Sequence, residues 1–151
     1  MLHSDIDVRA ARASDLAGVL ALYRHLNPDD APMSEERARA IWQRMLDQPD
    51  FRCVVVVCES TLVASCCVAV LPNLTRGGRS YALIENVVTH ADHRRRGFGR
   101  MVLAEALRHS WDAGCYKAML LTGSRRPETH HFYESCGFRS DDKTGFVARP
   151  S

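Results

Sequence analysis

The sequence predicts a mixed α/β (α+β) fold: a central, mixed and twisted sheet of six to seven strands with about four helices on its faces. Three observations lead there. Two adjacent runs, Phe51–Glu59 and Leu62–Leu71, are nearly continuous in Val, Ala and Cys, as central strands covered on both faces should be. Four other segments place apolar residues at helical spacing. Three meandering strands are then followed by two strand–helix alternations, which gives a mixed sheet with helices on its faces.

Taken in order, residues 6–12 alternate as a first strand, and Ser14 is placed to cap a helix with Leu16, Val19, Leu20, Tyr23 and Leu26 on one side. Pro28–Pro32 breaks it. Ser34, Glu35 and Glu36 open a second helix whose stripe is Ala38, Ile41, Trp42, Met45 and Leu46, and Pro49 ends it. After the two apolar strands a polar, Gly-rich loop, Pro72–Arg79, leads to a strand over Tyr81–Thr89. A helix from about Phe98 to Ala113 turns Phe98, Val102, Leu103, Ala106, Leu107 and Trp111 to the core and stops at Gly114. A strand over Tyr116–Thr122, a helix from Pro127 to Ser135 ended by Gly137, and a last strand near Phe146–Ala148 complete the order β-α-α-β-β-β-α-β-α-β.

The 151 residues fit one domain, 1–151, with no repeat or linker to divide it. Apolar residues at 46% and charged residues at 25% are ordinary for a globular chain, and no apolar run approaches the ~20 residues that cross a bilayer. The first residues do not resemble a signal peptide, so cytoplasmic residence is expected, without a membrane partner. The six cysteines, at 53, 58, 66, 67, 115 and 136, show no C-x-x-C spacing and read as buried free thiols; Cys66 and Cys67 should point to opposite faces of one strand. No H-E-x-x-H occurs, and His90, His93, His130 and His131 lack partners at ligand spacing, so no metal is expected. A net charge of +2 does not indicate nucleic acid.

The charge is instead concentrated in one turn, Arg94-Arg95-Arg96-Gly97-Phe98-Gly99-Arg100, between a strand and a helix. A helix N-terminus leaves its first amides without intrahelical acceptors and favours an anion. Gly97 and Gly99 allow close approach of the backbone, and the arginines add charge-assisted hydrogen bonds. By itself the run reads either as a diphosphate cradle or as a simple turn with a solvated charge cluster; neither a Walker loop nor a full G-x-G-x-x-G is present. Glu85, among Leu83, Ile84, Val87 and Val88, reads either as a functional carboxylate or as one facing solvent or an arginine.

Arg94-x-x-Gly97-x-Gly99 following Ile84-Glu85-Asn86-Val87-Val88-Thr89 resembles the acetyl-CoA pyrophosphate motif of the GNAT acetyltransferase superfamily. His131-Phe132-Tyr133-Glu134-Ser135-Cys136-Gly137-Phe138 resembles its F-Y-E-x-x-G-F segment. Over nearly the whole chain the resemblance implies a GNAT-like acyl-CoA N-acyltransferase fold and a coenzyme-A-dependent N-acetyltransferase with acetyl-CoA as cosubstrate. It implies that main-chain amides from Arg95 to Arg100 hold the pyrophosphate and that Val87, Val88 and Thr89 pair with the pantetheine arm. The acetyl carbonyl would lie near the Val88 amide, and Tyr133 would protonate the departing thiolate, as a phenol with pKa ~10 can. Pro127 replaces an asparagine common in the superfamily, so Thr129 becomes a candidate pantetheine contact.

Direct transfer needs a neutral amine, and Glu85 is the candidate base, with a water chain as the alternative. Ile84–Val88, Gly114–Lys117 and Phe132–Phe138 are locally similar to glucosamine-phosphate N-acetyltransferases. That similarity implies that Glu85 and Asn86 face the amine and that Tyr116 and Lys117 hold a phosphate; a homodimer is also expected from it. The primary expectation is therefore acetylation of a small-molecule amine. The alternatives are a protein or peptide N-acetyltransferase and a non-catalytic acyl-CoA-binding sensor module.

Overall fold

The computed structural model describes residues 5–151. Five strands, β1 (Ile6–Ala10), β2 (Phe51–Cys58), β3 (Thr61–Leu71), β4 (Tyr81–Thr89) and β5 (Ala118–Leu120), form one sheet in sequential order. The first four pair antiparallel, and β5 joins β4 in parallel, so the sheet is mixed. The helices are α1 (Leu16–Leu26), α2 (Glu35–Leu46), a short α3 (Thr75–Gly78), α4 (Phe98–Asp112) and α5 (Pro127–Ser135). The chain resolves into two compact units, one ending at Leu120 and the other running from Leu121.

In the first unit the sheet is covered on both faces, which explains the unbroken apolar runs. Cys53, Val55 and Cys67 pack with Val19 of α1 and Trp42 of α2. The alternate residues face the other way, where the Cys66 thiol meets the Val102 carbonyl of α4 at 3.7 Å. Adjacent Cys66 and Cys67 thus point to opposite faces, as a strand requires. Each fully buried valine of β2 and β3 contributes about 1.5–3 kcal/mol through apolar burial.

The elements differ from expectation at several places. Ser14 does not cap α1; it lies in a 3-10 turn, Ala13–Asp15, ahead of the helix. Asp15 takes over the local role, accepting from the Arg12 amide at 2.7 Å and from the Arg9 guanidinium at 2.7 and 3.1 Å. A carboxylate can satisfy three donors here where a hydroxyl cannot, and the Arg9 hydrogen bonds hold the Asp15 pKa below the ordinary carboxylate value. Ser34 does cap α2, accepting from Arg37 at 3.2 Å. The sheet has five strands rather than six or seven, because Phe146–Ala148 finds no ladder and stays exposed, Phe146 to 90%. In the second unit Gly145 instead lies against the Leu121 side chain, so closely that a Cβ there would stand 2.6 Å from a Leu121 methyl. The expected strand Tyr116–Thr122 contracts to three residues. Trp111, expected in the core, is 50% exposed, since the α4 stripe turns past it to Ser110, which bonds the Ala106 carbonyl.

Candidate active site

The second half of β4 is irregular in a way that singles out one segment. Ser65 pairs with Val88 and Cys67 with Glu85, so Asn86 and Val87 together oppose Cys66 alone. This is a β-bulge, and Asn86 absorbs it with a left-handed φ of 54°. Asparagine tolerates that conformation better than most residues. On its other side β4 pairs with β5 only over Ala82–Ile84; Glu85–Thr89 run on beyond that ladder. The bulge exposes Glu85 and Asn86 and leaves Val88 buried. Glu85 therefore incurs no burial penalty, which agrees with the solvent-facing reading that the sequence left open.

The arginine–glycine turn follows β4 directly, after a 3-10 turn, Ala91–His93, in which His90 Nδ1 accepts from the Asp92 amide at 3.1 Å. Arg95 and Gly97 both take left-handed angles, φ 62° and 84°, and Gly97 is the N-cap of α4. A Cβ on Gly97 would touch nothing within 4 Å, so glycine is required there for its backbone angle and not for space. Phe98 is buried and anchors the helix, leaving only its amide for a ligand. Arg96 donates to His93 Nδ1 at 2.9 Å and lies over the Phe98 ring at 5.1 Å, while Arg94, Arg95 and Arg100 are exposed. Two left-handed residues just before a helix N-terminus turn the backbone sharply where the first helical amides lack intrahelical acceptors, an arrangement suited to an anion.

Tyr116 and Lys117 sit at the other end of β4. The Tyr116 amide donates to the Ser80 carbonyl and the Ala82 amide to the Lys117 carbonyl. Two arginines from the loop before β4, not anticipated from the sequence, join them. Arg76 and Arg79 stand 5.4 and 5.8 Å from the Tyr116 ring centre, and Lys117 Nζ lies 5.4 Å from the same ring and 5.6 Å from that of Tyr81. Asn73 pins this loop by donating to the Thr75 and Arg79 carbonyls and to the Thr75 hydroxyl, at 2.9–3.2 Å. The short α3 is a tight turn rather than a regular helix, since Arg76, Gly77 and Gly78 are all left-handed, and the chain reverses there as a loop. Its only signal in the sequence was two glycines between basic residues.

Beneath the bulge, the Tyr23 hydroxyl is 3.6 Å from the Cys67 thiol, and the Asn86 side chain faces both. Burial, then the neighbouring Cys67, pushes the Tyr23 phenol pKa up. In the second unit Thr129 and Tyr133 lie one helical turn apart on α5. The Thr129 hydroxyl accepts from Ser124 at 3.1 Å, and the Tyr133 ring packs between Phe132 and Phe138 at 5.3 and 6.2 Å. His130 and His131 are exposed. Glu85–Thr89, the turn 94–100 and the pair Tyr116–Lys117 thus share the β4 framework of the first unit, whereas Thr129 and Tyr133 share one helix of the second. Among the described residues no cluster of three or more His, Cys, Asp or Glu could hold a metal ion, and no helix is long and apolar enough to cross a membrane.

A bulged strand running into a left-handed glycine turn at a helix N-terminus is the arrangement that the resemblance to acyl-coenzyme-A transferases implied. The model of the Acetyltransferase (GNAT) family matches residues 17–138. Glucosamine 6-phosphate N-acetyltransferase of Trypanosoma brucei brucei is 29% identical over 149 residues, 92% of each chain. Glucosamine 6-phosphate N-acetyltransferase 1 of Oryza sativa subsp. japonica is 30% identical over 135 residues, 87% of this chain and 79% of its own. A solved structure from Agrobacterium tumefaciens str. C58 is 46% identical and superposes with a TM-score of 0.91, covering 95% of this chain and 99% of its own. This chain belongs to the GNAT acetyltransferase family. It is an acetyl-CoA-dependent N-acetyltransferase.

Proposed function

We propose that this enzyme transfers the acetyl group of acetyl-CoA directly to the primary amine of a phosphorylated amino sugar. The observation that carries this reading is the cluster of Arg76, Arg79 and Lys117 around Tyr116. Three cations held on one ring repel one another unless an anion joins them. The ring fixes their positions, with cation–π attraction adding about 0.5–1 kcal/mol each. Tyr81, beside the cluster, is four residues from Glu85, or about 13 Å along the strand. Arginine and lysine side chains reach part of that span, leaving room for a compact ligand with an amine at one end and a phosphate at the other. Both relatives named above carry glucosamine 6-phosphate in their names.

On this reading main-chain amides from Arg95 to Arg100 hold the coenzyme pyrophosphate, flanked by the charge of Arg94 and Arg96. Val87, Val88 and Thr89 pair with the pantetheine arm as an added strand, with Thr129 as a further contact. The Val88 amide polarises the thioester carbonyl. Glu85, directly or through water, takes the proton from the ammonium group, and Asn86 orients the amine. The amine nitrogen attacks the carbonyl carbon, the carbon–sulfur bond breaks, and the Tyr133 hydroxyl gives its proton to the thiolate. Residues 1–151 act as one acetyltransferase domain, which the family match supports by crossing the division at Leu120. A cytoplasmic homodimer is the form we propose.

Acetyl-CoA should raise the melting temperature, since it binds the folded state alone; no shift at millimolar ligand overturns the coenzyme assignment. Thiol release should then be fastest with glucosamine 6-phosphate in a panel containing glucosamine, amino acids, polyamines and lysine peptides. Equal rates for glucosamine and its phosphate remove the phosphate site, and a preference for peptides points to protein acetylation. Tyr133→Phe should lower kcat about 100-fold with coenzyme affinity nearly kept; equal loss of both makes Tyr133 a packing residue.

A further inference from the structure

We propose that Cys53 and Cys67 are a peroxide-oxidisable pair that closes a cross-strand disulfide and slows acetyl transfer. They are Cα partners across β2 and β3. The type of pair follows from their neighbours. Val70 donates to the Asp50 carbonyl at 2.8 Å, and Ala11 donates to the Cys53 carbonyl at 2.8 Å, so the polar backbone edge of Cys53 faces β1. Cys53 and Cys67 therefore form a non-hydrogen-bonded pair, in which Cα atoms approach to about 4.5 Å and side chains come closest. Disulfides span Cα separations of about 4.4–6.8 Å, so the link needs no rearrangement of the ladder.

Both thiols are free and lie on the same face, in the cluster with Val19, Trp42 and Val55. Cys66, next in sequence, is turned away toward α4 and does not compete. The two sulfurs are differentiated. Cys67 has its pKa drawn down by the hydrogen bond from Cys53, with further help from Tyr23 and Asn86, while burial opposes. Cys53, as the donor of that bond and also buried, is pushed up. Cys67 is thus the more readily ionised of the two thiols, and the thiolate is the reactive form. It lies beside the exposed Glu85 and Asn86, where the bulge opens the strand.

The chemistry balances with hydrogen peroxide as oxidant. The Cys67 thiolate attacks one peroxide oxygen, the O–O bond breaks and hydroxide leaves, giving a sulfenic acid. Cys53 loses its proton to that hydroxide and attacks the Cys67 sulfur; the S–O bond breaks and its oxygen leaves as hydroxide, which takes up the proton Cys67 released on ionising and becomes the second water. Two thiols are oxidised by two electrons, and one peroxide becomes two waters. The link draws the Cys67 sulfur toward Cys53 and away from Tyr23 and Asn86, removing contacts that support the bulge. This consequence rests on the roles of Glu85 and Asn86 given above; the link itself rests on the sheet alone.

The test treats the full chain with hydrogen peroxide, alkylates the remaining thiols and cleaves after Glu59, which separates Cys53 from Cys67. A linked pair of peptides should appear that is lost in both Cys53→Ser and Cys67→Ser. Acetyl transfer should fall by roughly threefold or more, since small misplacements of reacting groups lose rate steeply, and recover on reduction with dithiothreitol. Cys53→Ser, and Cys53→Ala should the serine variant fold poorly, should keep its starting rate under the same peroxide. No linked peptide, or a link persisting in both serine variants, overturns the pairing whatever the enzyme acetylates. A link that leaves the rate unchanged overturns its effect on transfer.

Discussion

The enzyme has two basic regions on one strand framework, and they hold their charges in opposite ways. At the turn 94–100 the side chains are mostly exposed, while the backbone is constrained: Arg95 and Gly97 are left-handed and α4 begins at Phe98. Around Tyr116 it is the side chains that are placed, with Arg76, Arg79 and Lys117 all within 5.8 Å of one ring. Main-chain amides cannot be varied by substitution and suit a ligand common to a whole family. Placed side chains are easily exchanged and suit the part of the reaction that differs between members. On the proposed reading the first region carries the coenzyme and the second the choice of amine.

The largest effect should come from breaking the backbone of the first region. Gly97→Val puts a β-branched residue at φ 84°, where such residues are genuine outliers. Strain of about 1–3 kcal/mol is relieved only if the turn moves its amides, so acetyl-CoA affinity should fall roughly 10- to 100-fold. Calorimetric titration measures this, with circular dichroism showing that the fold is kept. Unchanged affinity would mean that the amides after Gly97 are not the pyrophosphate site.

The second region should break differently. Replacing both Arg76 and Arg79 with alanine removes two cations but leaves β4 and the turn intact. The KM for glucosamine 6-phosphate should rise about tenfold, because charge-assisted hydrogen bonds at exposed sites contribute on the order of 1 kcal/mol or less each. The kcat, and the rate with unphosphorylated glucosamine, should hold. Loss with both amines alike would move these arginines out of phosphate recognition.

The same contrast sets what the sequence could reveal. The turn was legible because glycine at a helix start and an arginine run are local signals, and the helices were legible from their spacing. Even the two-face burial of β2 and β3 could be read from Val54–Val57 and Val63–Val68. The cluster on Tyr116 was only half legible: Tyr116 and Lys117 are adjacent in sequence, whereas Arg76 and Arg79 reach them through a loop shape pinned by Asn73. Nor could spacing show that Cys53 faces Cys67, because that depends on strand register. The Asn86 bulge was hidden for a related reason, as it exists only in relation to the count of residues on β3. The strand expected at Phe146–Ala148 failed because alternation supplies a candidate but not a partner to pair with.

The smallest effect sharpens the comparison most. Arg95 combines an exposed side chain with a left-handed backbone, φ 62°. Arg95→Gly therefore removes a charge while easing the backbone angle that the turn needs. If the amides do the holding, acetyl-CoA affinity should fall by less than about threefold, as for one exposed and screened charge. The loss should shrink as salt rises from 50 to ~500 mM, because screening already weakens that charge in the parent. A loss of tenfold or more that persists at high salt would place the guanidinium directly on the pyrophosphate. Both basic regions would then work through side chains, and the distinction drawn between them would fail.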